Sequence, residues 1–190
     1  IKHMRFELIR RETKHAALVV ATRVTGDSLA PINAQYFDAP FGPPVVLVAG
    51  ANAVQLEAWA HAGAALKLVS VHRREPIESY RIVAQVVPPT TMRGSPLIVV
   101  TPRTGWWEST AERGGGLVAW LAAIAAAQAL SAQGQLHCTL NAYATCGHEL
   151  GHLGLSELLA RDPDLVHGDK PILHLGANLG CASNLTLFLR

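Results

Sequence analysis

Ala144-Thr145-Cys146-Gly147-His148-Glu149-Leu150-Gly151-His152-Leu153-Gly154-Leu155 is the stretch on which the reading of this chain turns. It is the only place where a carboxylate and two imidazoles fall within five residues. Two chemical readings compete for it. His148-Glu149-Leu150-Gly151-His152 matches the pattern His-Glu-x-x-His. Residues four apart on a helix share a face, so His148 and His152 would hold one zinc ion and Glu149 would activate its bound water.

The residues on either side favour the second reading. Leu136, Cys138, Leu140 and Ala142 alternate with His137, Thr139, Asn141 and Tyr143, which is the period of a strand rather than a helix. Gly147, Gly151 and Gly154 each weaken a helix. A third histidine ligand six residues beyond His152 is missing, because that position is Leu158. The pattern therefore predicts a strand that ends in a glycine-rich turn, with Leu153, Leu155, Leu158 and Leu159 opening a helix behind it. Polar residues at the carboxyl end of a buried strand are where α/β proteins commonly build sites. His148 and Glu149 are candidate catalytic residues on that ground; the plain alternative is a solvated turn without chemistry.

Working outward, residues 97–100 form a continuous apolar run of the kind buried in a parallel sheet. They lead into Thr101-Pro102-Arg103-Thr104-Gly105-Trp106-Trp107-Glu108-Ser109-Thr110-Ala111-Glu112-Arg113-Gly114-Gly115-Gly116. This segment reads as a strand-end loop, either a surface loop with a tryptophan plugging the core or a site loop whose glycines let backbone approach a ligand. Arg103, Trp106, Trp107 and Arg113 are its candidate substrate-binding residues, the arginines by bidentate contact with a carboxylate. Residues 117–132 are an alanine-rich helix, apolar nearly all round, predicted to pack on the sheet. Residues 171–175 begin a further strand that carries His174.

The earlier part of the chain alternates in the same way. Predicted elements are a helix over 4–17, strands over 18–21, 45–48, 66–71 and 80–87, a turn at Gly26-Asp27-Ser28, and a helix capped by Asn52 and stopped by Gly63. Residues 88–96, with three prolines and a glycine, mark a boundary. Two domains are expected, 5–88 and 96–190. The fold class is α/β: a layered, mainly parallel sheet flanked by helices, preceded by a smaller α/β unit.

Composition limits the function. The chain has 190 residues, 49% hydrophobic and 16% charged, so it can bury a core. A net charge of +2 and the lack of a basic stripe with interleaved aromatics argue against a nucleic-acid partner. The longest apolar run, 117–127, is too short to span a bilayer. Cys138, Cys146 and Cys181 are too few and too scattered for a disulfide framework. No secretory signal pattern is visible, and the opening Ile1-Lys2-His3-Met4 reads as a cloning remnant before a start at Met4 or before an internal start; Asn184-Leu185-Thr186 fits a glycosylation sequon too common to carry weight.

The order of these parts resembles the co-catalytic zinc aminopeptidases, the family that includes leucyl aminopeptidase and glutamate carboxypeptidase. Residues 18–87 resemble the protease-associated domain often inserted in that family, and 97–180 resemble the first half of its peptidase domain. The resemblance implies a metal-dependent hydrolase acting on peptide or small amide substrates, with zinc as cofactor. It also implies where the ligands would fall. Pro102 and Thr104 stand where the family has a His-x-Asp pair. Glu112 stands at its metal-bridging aspartate, and His148 and Glu149 at its adjacent glutamates. Gly176 stands near its later aspartate, with His174 two residues before. With His152, the implied metal set is Glu112, Glu149, His152 and His174. Two zinc ions need more anionic ligands than these to offset four positive charges, so at most one ion is expected. The alternatives are a peptidase-like fold that has lost catalysis and binds a ligand or partner, with no cofactor, and the His-Glu-x-x-His metallopeptidase.

Overall fold

The computed structural model describes residues 2–22, 29, 32–89, 94–106 and 110–176. The Gly26-Asp27-Ser28 turn, Trp107, Cys181 and the sequon at Asn184 lie outside the described residues, as do positions 90–93 of the expected boundary. The protein is mixed α/β, with small sheets flanked by helices. The chain divides into two compact units, one of Ile1–Ile32 with Tyr36–Ile77, the other of Asn33–Gln35 with Glu78–Arg190.

The first unit contains α1 (Lys2–Glu12), β1 (Leu18–Ala21), β2 (Val45–Val48) and α2 (Ala53–His61). β1 and β2 pair in parallel, Leu18 opposite Val45 and Ala21 opposite Val48. The end of α1 is fixed by Arg10, which donates to the Phe41 carbonyl at 2.6 Å, while Arg10 and Arg11 both lie over the Phe41 ring. Asn52 does not cap α2 through its side chain, because a 3₁₀ turn at Gly50–Asn52 has already brought it to helical backbone angles. Gly63 does stop the helix, at φ +65°. Residues 66–71 form no strand, contrary to their alternating pattern. Alternation creates a strand only where a neighbour completes the ladder; here Leu66, Val69 and Val71 are exposed.

The second unit is built on a four-stranded sheet of β3 (Ile82–Val86), β4 (Gly94–Pro102), β5 (Cys138–Thr145) and β6 (Ile172–His174), in the order β3-β5-β4-β6. β3 runs antiparallel to β5, whereas β4, β5 and β6 are mutually parallel. The strand expected over 80–87 thus pairs in the sheet of the second unit. Parallel neighbours need a crossover. α3 (Thr110–Ala132) supplies it between β4 and β5, and α4 (Leu153–Arg161) lies between β5 and β6.

The two faces of the sheet follow the period of two. Val99, Leu140, Ala142 and Ala144 point to the face covered by Trp120 and Ala127 of α3. Ile98 and Val100 point to the other face, against Leu158 of α4 and Leu165, with Tyr143 beside them. Each large aliphatic side chain buried this way stabilises by roughly 1.5–3 kcal/mol.

α3 begins at Thr110, seven residues before the apolar run, and takes the three glycines into its first turns. Glu112 in that turn favours the helix start electrostatically. Gly116 is there because of a close approach: a Cβ would lie 2.9 Å from the Gly176 carbonyl oxygen and 3.1 Å from Thr101 Oγ1. The glycine therefore admits the chain's own backbone. Because α3 is longer than its apolar run, Glu112–Ala132 is the one helix among the described residues long and apolar enough to cross a membrane, by length and composition. Its inner face covers the sheet, while Val118 and Leu121 face outward.

Candidate functional site

Because β4, β5 and β6 are parallel, their carboxyl ends share one edge of the sheet. The segments leaving that edge bring together Thr104, Glu112, Arg113, His148, Glu149, His152 and His174.

The turn after β5 is set by its glycines. Gly147 at φ +66° and Gly151 at φ +87° bracket a single 3₁₀ turn, His148–Leu150. Left-handed backbone at both positions is inexpensive only for glycine. His152 follows at φ +62°, the one positive-φ residue other than glycine among those described, a conformation costing about 1 kcal/mol or more. α4 then starts hard against the strand end: a Cβ on Gly154 would lie 2.6 Å from the Cys146 carbonyl oxygen. The continuous helix that would put His148 and His152 on one zinc ion is therefore not formed. The two rings instead meet edge to face, centroids 4.2 Å apart.

Glu149 is buried at 5% exposure, and so is Arg113. Arg113 Nη2 donates to Glu149 Oε1 at 2.6 Å and contacts Glu112 Oε1 at 2.7 Å. Arg113 Nε donates to the Thr104 carbonyl oxygen. The Thr104 hydroxyl in turn donates to Glu149 Oε2 at 2.8 Å. Arg113, Glu149 and Thr104 thus close a ring of hydrogen bonds that ties the segment after β4 to the turn after β5. Arg113 Nη1 is buried with no hydrogen-bond partner among the described residues.

This ring controls the charges around it. Burial alone would raise the pKa of Glu149, but the hydrogen bonds from Arg113 and Thr104, a backbone hydrogen bond and the charge of Arg113 hold it below the usual carboxylate value. His148 is pushed down to about 4, first by loss of solvent and then by the positive charges of His152 and Arg113, against the opposing pull of Glu149. His174 is also lowered, by loss of solvent, then by His152 and Arg113. Both rings are neutral imidazoles at pH 7, in the form that accepts a proton or a hydrogen bond.

The remaining expected site residues have other partners. Arg103 donates from Nε to the Tyr80 carbonyl oxygen at 2.7 Å and from Nη2 to Ser79 Oγ, so it braces the approach to β3. Trp106 donates its indole N–H to Asn33 Oδ1 at 3.4 Å. Asn33–Gln35 belong to this unit. The Ala34 N–H donates to the Glu149 carbonyl oxygen at 2.6 Å, and a Cβ on Gly151 would strike the Gln35 carbonyl. That short strap carried no motif and was invisible in the sequence. Thr104 stands at a position the resemblance assigns to a metal ligand, which is the one signal that could have found it.

The zinc implied by the resemblance needs about four ligands in tetrahedral array. Among the described residues no three His, Cys, Asp or Glu side chains are grouped so as to hold one ion. The two carboxylates that converge, Glu112 and Glu149, converge on a guanidinium. Thr104 spends its hydroxyl on Glu149, and Pro102 has no ligating atom. Among the described residues the donor set does not fit zinc.

No family model, curated protein or solved structure matches this chain.

Proposed function

We propose that this chain is a peptidase-like α/β protein that binds a peptide or small amide at the strand-end edge without hydrolysing it through a metal. In this reading the second unit corresponds to the first half of a layered, mainly parallel aminopeptidase-like sheet, and the first unit to a protease-associated-like domain. One observation carries the loss of metal chemistry: the Arg113 guanidinium neutralises Glu112 and Glu149 together, at 2.7 and 2.6 Å. An arginine is charged at every relevant pH, so those carboxylates are not available to a zinc ion. What remains at the edge is suited to recognition: the neutral imidazoles of His148 and His174, and the Trp106 segment held by the Arg113 ring.

The test is metal content and hydrolysis of the purified protein. After incubation with zinc or manganese and desalting, less than about a tenth of an equivalent is expected to remain, with no turnover of aminoacyl or peptide substrates. One equivalent of bound metal, with hydrolysis that disappears in Glu149→Ala, would overturn the proposal in favour of a metal-dependent hydrolase with an altered site.

A further inference from the structure

From Gly114 to Leu136 the chain carries no Asp, Glu, Lys, Arg or His. Most of that run is α3, and only one side of α3 is covered. Trp120, Ile124 and Ala127 pack on the sheet. On the opposite side Val118 is 67% and Leu121 58% exposed, and Ala122, Ala125, Ala129 and Ala132 are exposed with them. At the helical period these positions share one stripe, about 21 Å long. A helix with one face on a sheet ordinarily shows charged side chains on the other, and a helix that is apolar all round is buried. We infer that the outward face of α3 is covered by the same face of a second copy of this chain, the two helices running antiparallel about a two-fold axis at Ala125.

The stripe complements itself. Its large side chains, Val118 and Leu121, lie in the amino-terminal half of the helix, and its carboxyl-terminal half is alanine. A two-fold contact repeats each meeting in both directions. With Ala125 on the axis, Val118 stands level with Ala132 of the second copy, and Leu121 level with Ala129 of the second copy, so each large side chain meets a small one. A parallel pair would set Val118 and Leu121 level with themselves and leave the alanine half unfilled. Charge agrees with this choice. The stripe offers nothing to an acidic or basic partner, and the charges nearest it on α3, Glu112 and Arg113, are already paired at 2.7 Å. Antiparallel helices also set each amino terminus beside the other's carboxyl terminus, where the dipoles attract. The stripe would bury on the order of 1,000 Å² over both copies, at the lower end of specific interfaces, which fits a dimer with a dissociation constant in the micromolar range.

The test is sedimentation equilibrium of the full chain from about 5 to about 200 μM, over which monomer is expected to give way to dimer. Ala125→Glu places two carboxylates at the axis and is expected to weaken association at least about 30-fold. Ala125 is exposed and glutamate is a good helix former, so this variant is expected to keep the native far-UV circular dichroism. Leu121→Lys and Ala129→Glu test the direction of the helices. Each is expected to weaken self-association, and their equimolar mixture to associate about tenfold more tightly than either alone, because the new ammonium of one stands level with the new carboxylate of the other. A chain still monomeric at about 200 μM, a dimer indifferent to Ala125→Glu, or a mixture no tighter than its components would overturn the inference. So would a monomer that pellets with phosphatidylcholine vesicles, since a bilayer would then be the cover of this apolar helix.

Discussion

Replacing Arg113 by methionine keeps most of its volume and removes its charge, and the structure sets the size and pH dependence of the effect. The dominant loss is the pair with Glu149, both residues being 5% exposed. Breaking a buried pair while leaving one charge behind costs about 3–5 kcal/mol. The contact with Glu112, whose side chain is 28% exposed, adds at most about 1 kcal/mol. The donation from Nε to the Thr104 carbonyl adds about 1 kcal/mol more. We expect Arg113→Met to lose about 4–7 kcal/mol at pH 7.5. The pH dependence supplies a second check. In the native protein Glu149 has a lowered pKa, so its contribution is present above the ordinary carboxylate pKa and is lost as pH falls through the lower folded value. In the variant, burial remains and the guanidinium is gone, so the pKa of Glu149 moves up. Its carboxyl then takes a proton as the pH is lowered, which relieves the unpaired charge. The gap between native and variant is expected to narrow from pH 7.5 to pH 5. The assay is urea unfolding followed by tryptophan fluorescence, since Trp120, 4% exposed on α3, reports on the same unit. A variant within about 1 kcal/mol of native at pH 7.5, or a penalty independent of pH, would refute the argument that a buried pair holds this edge together.

Two further outcomes follow from the turn and its histidines. Gly154→Ala is expected to destabilise by about 1–3 kcal/mol, because its methyl would lie 2.6 Å from the Cys146 carbonyl oxygen. Gly114→Ala, whose methyl would meet only Thr110 Cγ2 at 3.4 Å, is expected to stabilise α3 by about 0.5–1 kcal/mol; equal effects in chemical denaturation would contradict the packing described. His148, with a pKa of about 4, should titrate well below an ordinary histidine in imidazole NMR spectra. Because its folded pKa is below the unfolded value, stability should fall as pH drops from about 6.5 to 4, by about 1 kcal/mol after allowance for a half-exposed ring. A resonance titrating at 6.5 or above would contradict the combined action of burial, His152 and Arg113 on that ring.

The sheet was legible where burial and period agree. Residues 136–144 alternate in the sequence, and Leu136, Leu140 and Ala142 lie together in the core beneath α3. The run at 97–100 has no alternation because both faces of β4 are covered, by α3 on one side and α4 on the other. Two elements depart from their local pattern for the same reason, that such a pattern says nothing about neighbours. Residues 66–71 alternate but lack a paired strand, and Gly114-Gly115-Gly116 looks like loop but is helix, with Gly116 packed against Thr101 and the backbone just after β6. At the site, the residue types were visible and their partners were not. Glu112, Arg113 and Glu149 were each singled out, the carboxylates as metal ligands and the arginine as a clamp for substrate. Which charge finds which is decided by a contact across 36 positions, and the strap at Asn33–Gln35 arrives from farther still.

The identity of residue 104 follows from the same charge balance. An aspartate there would add a third carboxylate beside Glu112 and Glu149, and one guanidinium could not offset three negative charges in a place where Glu149 is already 5% exposed. It would also replace a donor by an acceptor, since Glu149 Oε2 receives its hydrogen bond from the Thr104 hydroxyl. Threonine and arginine therefore depend on each other here: the Thr104 hydroxyl and Arg113 Nη2 each donate to Glu149, and Arg113 Nε donates to the Thr104 carbonyl oxygen. Introducing a carboxylate at 104 while Arg113 remains would add repulsion without freeing either glutamate from the guanidinium. The ring closes on itself, and that closure holds the segment after β4 and the turn after β5 in register.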